Sequence, residues 1–265
     1  MRRPIVILLA LGALAASAAL AGAATSKPAR QAVDRLQTGN ISLTALAPKP
    51  SQVITGPALA LHVLAKGYRL DSYYAGTPKL ANIGHYHEII DNKLVDMAPL
   101  QNPTHDTLST VGLSVGRHVL TLVPARNDHT MLMAKAIMVP FFYKGPYRAQ
   151  AAGYTGTGKP SIAITAPAAG STIGGNAFTL TAKVDNFVLS QESYGKGLVA
   201  GQGHWHVFLD KVNMAHMLTM AAGDTQTVPI KGVKPGTHTF IAVLVNNQHM
   251  PLKPMVMTSV SLVVR

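Results

Sequence analysis

The 265-residue chain contains no cysteine. That excludes a disulfide framework, a thiolate-held zinc or iron–sulfur centre, a thiol nucleophile and lipidation on cysteine. Acidic residues are also scarce, eleven against 23 lysines and arginines, for a formal charge of +12 at pH 7. They are dispersed, and Glu88 and Glu192 do not fall at matching places, so no carboxylate pair of the glycoside-hydrolase kind is offered. Gly-x-Ser-x-Gly, the Walker loop, the Gly-x-Gly-x-x-Gly fingerprint and His-Glu-x-x-His are all missing. The basic residues are scattered without interleaved aromatics, which argues against a nucleic-acid platform. Beyond Leu20 no stretch is long and apolar enough to read as membrane-spanning.

What is present begins with a leader pattern. Arg2 and Arg3, an apolar run from Ile5 to Leu20 broken by Gly12 and Ser17, and the small residues Ala21-Gly22-Ala23 predict a signal peptide over 1–23. The expected product is a periplasmic, secreted or cell-surface bacterial protein. Cleavage removes two arginines and no acid, which takes the formal +12 to +10. Such a charge suits an anionic envelope or matrix component as partner, with no nucleic acid expected. In the segment 24–39, Ala32, Val33 and Leu36 could line one face of a short helix that Gly39 stops.

An internal repeat organises the remainder. ISLTALAPKPSQVITGPALALHVLAKGYRL, from Ile41, has the apolar spacing and turns of SIAITAPAAGSTIGGNAFTLTAKVDNFVL, from Ser161. GHYHEIID (Gly84 to Asp91) then matches GHWHVFLD (Gly203 to Asp210), and Gly112 to Met131 matches Gly232 to Pro251. This is a duplication. It predicts repeat 1 over 40–148, a small, Gly-rich linker over 149–159 and repeat 2 over 160–265. Leu59, Leu61 and Val63 alternate, as do Phe178, Leu180, Ala182 and Val184, with turn residues about every ten positions. The expected fold class is all-β, two tandem antiparallel immunoglobulin-like β-sandwiches of about seven strands each, with a jelly roll as the alternative closure.

On a strand, residues two apart share a face. His85 and His87 therefore point one way and Tyr86 the other, and His204, His206 and Trp205 repeat the arrangement. The aromatic is expected in the core and the imidazoles on the opposite face. A third histidine recurs at the end of a later strand, His129 after Asn127-Asp128 and His249 after Asn247-Gln248. Three imidazoles form a trigonal metal site with room for a water or a thioether. Met131 and Met250 are auxiliary candidates beside the third histidine, and Met97, Met214, Met217 and Met220 follow the paired strand. Thioether plus imidazole favours copper, as Cu(I), although methionine is also ordinary core filler. Asp91 and Asp210 share the histidine parity and are auxiliary candidates too, with turn formation the favoured explanation. His118 and His238 start a strand after a turn and are expected to hydrogen-bond across the corner. His62, His105 and His216 have no counterpart in the other copy. Ligation is expected to weaken as the imidazoles protonate toward pH 5.

The Gly-His-x-His-x-x-x-Asp strand and the later Gly-x-His...Asn/Asp-x-His strand resemble those of poorly characterised bacterial exported immunoglobulin-like domains, here as a tandem pair. The resemblance covers most of both copies and implies architecture and export more than chemistry. GHYH is also similar to the copper strand of copper-zinc superoxide dismutase, but the zinc-loop histidines and the cysteine pair are absent. Pro-Gly-Thr-His departs from the cupin spacing. His129-Thr130-Met131 resembles the His-x-Met element of periplasmic copper chaperones in one copy only. The favoured reading is a non-enzymatic exported protein binding a transition metal, copper first, through His85, His87, His129 and His204, His206, His249. The alternatives are a cationic structural or adhesive envelope module without metal, and a dismutase-like or cupin-like metalloenzyme.

Overall fold

The computed structural model describes residues 40–265; the leader and the short N-terminal helix expected from the sequence lie outside the described residues. Repeat 1 contributes β1 (Ser42–Ala47), β2 (Gln52–Ile54), β3 (Ala58–Lys66), β4 (Arg69–Leu70), β5 (Ile83–Ile90), β6 (Lys93–Met97), β7 (His105–Ser109), β8 (Gly116–Arg126) and β9 (Ile137–Tyr143). Repeat 2 contributes β10 (Ser161–Ala166), β11 (Thr172–Ile173), β12 (Ala177–Asp185), β13 (Val188–Leu189), β14 (Gln202–Leu209), β15 (Met217–Ala221), β16 (Thr225–Pro229), β17 (Gly236–Asn246) and β18 (Met257–Val264). The protein is all-β. Each repeat has nine strands rather than about seven, because short strands such as β4 and β13 add themselves to the sheet edges.

Strand order is the same in both repeats. A three-stranded sheet, β1-β3-β7 or β10-β12-β16, faces a larger one, β2-β9-β8-β5-β4 with β6 on β5, or β11-β18-β17-β14-β13 with β15 on β14. Between the sheets lies an apolar core made by the inward half of each alternation. Leu59, Leu61 and Val63 of β3 bury there in repeat 1, and Leu180 and Ala182 of β12 in repeat 2. Tyr86 and Trp205, at equivalent positions in β5 and β14, are fully buried in these cores. The Trp205 indole donates to Gly223 O at 3.0 Å.

Around the histidines, the outer faces of the two larger sheets are covered by the other repeat. Met97 of repeat 1 packs into an apolar cluster with Tyr194, Phe208, Met217, Val243 and Val245 of repeat 2. Around it the repeats exchange polar contacts: Lys231 pairs with Asp71 at 2.9 Å, and Lys196 Nζ donates to Ser109 O at 3.2 Å. At the centre the exchange is reciprocal. His129 Nε2 donates to Met217 O at 2.7 Å, and His249 Nε2 donates to Leu94 O at 2.9 Å. In register, Leu94 stands opposite Ile89 and Met217 opposite Phe208, so the two carbonyls are equivalent positions of an approximate two-fold arrangement.

Gly76 and Gly195 approach the same two carbonyls. Both sit in the left-handed region, at φ +72 and +66, and a Cβ on Gly76 would run into Met217 O, one on Gly195 into Leu94 O. Gly195→Ala is therefore expected to cost more than the roughly 1 kcal/mol of a left-handed glycine in open space. Gly175, at φ +80 with nothing near its Cβ position, is the control. Equal losses in urea unfolding midpoints for Gly195→Ala and Gly175→Ala would contradict the clash.

Candidate metal centre

β5 runs antiparallel to β8, with His85 opposite Ala125 and His87 opposite Val123; in β14, His204 faces Val245 and His206 faces Val243 across to β17. The opposite pleat holds Tyr86 or Trp205 in the core, so the paired imidazoles occupy the outer face, where the other repeat covers them. His85 and His87 are 2% and 3% exposed, and His204 and His206 0% and 3%. Met97 is the cross-strand partner of His87, and Met220 of His206, which puts a thioether on the histidine face of each repeat.

The third histidine comes from the tight turn that ends β8 or β17. His129 and His249 adopt left-handed φ values of +59 and +62. A buried asparagine two residues earlier fixes each turn. Asn127 Nδ2 donates to Thr77 O and Pro78 O, and its Oδ1 accepts from Leu80 N. Asn247 Nδ2 donates to Gly197 O and Gln202 Oε1. Through these bonds the asparagines tie the turn to the loop that carries Gly76 or Gly195, and losing them would leave a buried amide unpaired.

The three rings of each repeat converge through one nitrogen apiece. His85 Nε2 lies 3.1 Å from His87 Nε2 and 3.1 Å from His129 Nδ1, and the last two are 3.4 Å apart. In repeat 2 the corresponding separations are 2.9, 3.0 and 3.4 Å. Ligands at 2.0–2.1 Å from one tetrahedral metal would lie about 3.3 Å apart. The geometry also fixes a tautomer. A carbonyl oxygen only accepts, so Nε2 of His129 and of His249 carries the proton and the neutral ring turns a bare Nδ1 inward. With one corner bare, hydrogen bonds can fill at most two of the three edges of the triangle. His85 Nδ1 and His204 Nδ1 are buried without a hydrogen-bond partner among the described residues.

Burial, the dominant cause at all six rings, lowers their affinity for protons. For His85 the neighbours His129 and His87 add to it, and its pKa falls well below the usual value. His87 is brought down to about 3 by burial, then by His129 and by His249 of the other repeat. His204 and His206 also fall well below the ordinary range; His206 feels His249 and, across the interface, His129. His129 and His249 are lowered against the opposing pull of their carbonyl hydrogen bonds. Six neutral imidazoles are thus offered as ligands.

The other sequence candidates are placed elsewhere. Met131 and Met250 are 46% and 57% exposed, since their side chains leave the turn outward. Asp91 and Asp210 do not join the converging ring nitrogens. They turn their strands at φ +49 and +60, and their carboxylates accept from His118 Nδ1 at 2.6 Å and His238 Nδ1 at 2.8 Å. His118 and His238 Nε2 reach Ser114 O and Lys234 O, the corner role expected of them. His62 and His105 stack with ring centroids 4.0 Å apart. Sequence reasoning missed Tyr194, whose ring lies 4.2 Å from that of His204, and the two asparagines, visible only as neighbours of the third histidine.

Repeat 1 also gathers carboxyl groups around Glu88, on the opposite pleat of β5 from the paired histidines, with Asp96 its cross-strand partner. Glu88 is fully buried; burial first, then Asp106 and Asp96, push its pKa well up. Asp96 is raised to about 7, again mainly by burial. In repeat 2 the equivalent positions of β14, β15 and β16 hold Val207, Thr219 and Gln226, and Gln226 Nε2 donates to Thr219 Oγ1 at 2.9 Å.

No family model and no curated protein matches the chain. Among solved structures it is similar to the fibronectin(III)-like modules of Clostridium thermocellum CbhA, at 13% identity over 84% of this chain and 94% of that one, with a TM-score of 0.27. It is also similar to the central fibronectin-III array of RIM-binding protein (9% identity, 85% and 69% covered, TM-score 0.24). For Sidekick-1 immunoglobulin domains 1-4 the figures are 11% identity, 84% and 51% covered, and TM-score 0.22. Likenesses this loose carry no argument; the fold rests on the chain's own strand order, and the site on its own six histidines.

Proposed function

We propose that the protein binds two transition-metal ions, copper favoured, one in each three-histidine group, and acts by holding them between its sandwiches rather than by catalysing a reaction. The observation that carries this reading is the converging triangle of imidazole nitrogens, with one corner bare because the opposite repeat occupies its other nitrogen. Such an outer hydrogen bond to a carbonyl is the usual companion of a ligating histidine. Met97 and Met220 beside the pairs favour a soft ion over magnesium or calcium. The basic, apolar and small-residue N-terminal segment supports delivery to the periplasm or cell surface, and among the described residues no helix is long and apolar enough to cross a membrane.

Protein purified without a histidine tag is expected to titrate with about two equivalents of copper, one per group. The double variant His204→Ala/His206→Ala should retain one, as should His85→Ala/His87→Ala. Elemental analysis that finds the same stoichiometry in either variant and in the parent would reject the assignment.

Acid gives a separate test. An unfolded chain takes up protons at histidine below about pH 6.5, whereas these rings resist protonation when folded, His87 down to about 3. The metal-free fold should therefore be fully stabilised by them above pH 6.5 and lose stability steadily as the pH falls toward 3. Urea midpoints from pH 8 to 4 measure the slope, which should flatten in the variant with all six histidines replaced. Burial thus revises the sequence expectation of weakening toward pH 5: bound metal should survive dialysis at that pH, where an exposed triad would release it; complete loss there would mean that the rings titrate as if exposed.

A further inference from the structure

A cavity of about 390 Å³ lies on the approximate two-fold between the repeats. Its walls come in equivalent pairs from the two copies, Asp96 with Thr219, Met97 with Met220, and Asp106 with Gln226, and the exposed Gln101 is part of its lining. The pairing breaks at the metal groups. His85 lines the cavity and His204 does not. The cause is one side chain. Ala75 and Tyr194 follow equivalent short 3-10 turns, Ser72–Tyr74 and Gln191–Ser193. The Tyr194 ring lies against His204 and edge-on to His249, at centroid distances of 4.2 and 5.8 Å, whereas Ala75 leaves the matching side of His85 bare.

Resting on the metal reading above, we propose that this cavity is the port through which the first group takes up and releases its metal, so that the first group exchanges and the second holds its ion captive. The class of ligand that uses the port is a soft monovalent cation such as Cu(I). Two thioethers face the path, and thioether is a donor for a soft ion. Asp96 and Asp106 line the same walls and supply oxygen donors in a chain whose surface is otherwise basic. Repeat 2 has Thr219 and Gln226 in their place. The half-buried His249 still meets solvent at its turn, but it does not open onto this lined path.

The test is the rate at which copper leaves the full chain. Protein loaded anaerobically with Cu(I) and mixed with excess bathocuproine disulfonate should lose one equivalent in a fast phase and one in a slow phase, separated by about tenfold or more in rate. Ala75→Tyr, the residue that repeat 2 carries, should slow the fast phase and spare the slow one. Tyr194→Ala should speed the slow phase, and Met97→Leu should slow only the fast one. Should Ala75→Tyr fail to fold, Tyr194→Ala and Met97→Leu read the same asymmetry from the other side. A single phase accounting for both equivalents would overturn the port while leaving the metal reading intact, as would two phases that ignore all three substitutions. Protein that holds no copper at the outset would refute the metal reading and the port with it.

Discussion

Two backbone carbonyls, Leu94 O and Met217 O, hold the arrangement together. Each accepts the Nε2 proton of a histidine from the opposite repeat, and each is the surface against which a left-handed glycine of that repeat fits without a side chain. Docking the two sandwiches therefore selects the tautomer of the third histidine in each group. Undocked, His129 and His249 would be free to place the proton on either nitrogen and to turn away from the pair. Anything that binds the docked triads better than the separated sandwiches must stabilise docking by the same free energy, so occupancy of the groups and closure of the interface are linked.

That linkage bears on why six histidines lie where a soluble tandem sandwich ordinarily has a wet sheet face. Burying an imidazole with an unmatched nitrogen costs on the order of 1–3 kcal/mol, and His85 Nδ1 and His204 Nδ1 carry that cost in both copies. Protonation cannot relieve it, because charged rings a few ångströms apart in a dry interface repel and are poorly solvated. A shared cation would instead satisfy the three converging nitrogens without adding a proton, while His85 Nδ1 and His204 Nδ1 lie outside the triangle. Hydrogen bonds alone leave an edge of the triangle unmade.

Much of this was legible in the sequence. The duplication, the sandwich class, the core places of Tyr86 and Trp205, and the membership of both histidine groups follow from residue order, because period-two alternation and repetition are local properties of the chain. The contact between the sandwiches was not legible, since nothing in GHYHEIID shows that a second sheet covers its outer face. For the same reason sequence order alone did not separate the methionines. Met131 and Met250 were attractive as sequence neighbours of the third histidine, yet a left-handed turn sends them outward, while Met97 and Met220 reach the histidine face through strand pairing. The carboxylates of Asp91 and Asp210 share the histidine parity but lie at the strand ends, where the nearest partners are His118 and His238.

Comparing the copies separates what the clasp requires from what it tolerates. Glycine before the clasping carbonyl, asparagine before the third histidine and the histidines themselves are the same in both repeats; altering any of them would break a contact on which both groups depend. Four of the differences lie near the cavity between the repeats or on the paired strand: Ala75 against Tyr194, Glu88 against Val207, Asp96 against Thr219, Asp106 against Gln226. None of these four supplies a donor or an acceptor of the reciprocal carbonyl bonds. They change what surrounds a group rather than the group, giving repeat 1 buried carboxyls and an open ring face, and repeat 2 a neutral, aromatic-covered one. Two sites of nearly equal ligand geometry thus sit in unlike dielectric and steric surroundings. Since ligand geometry sets which ion is held and surroundings set how readily it leaves, one fold duplicated about a shared interface can separate retention from exchange.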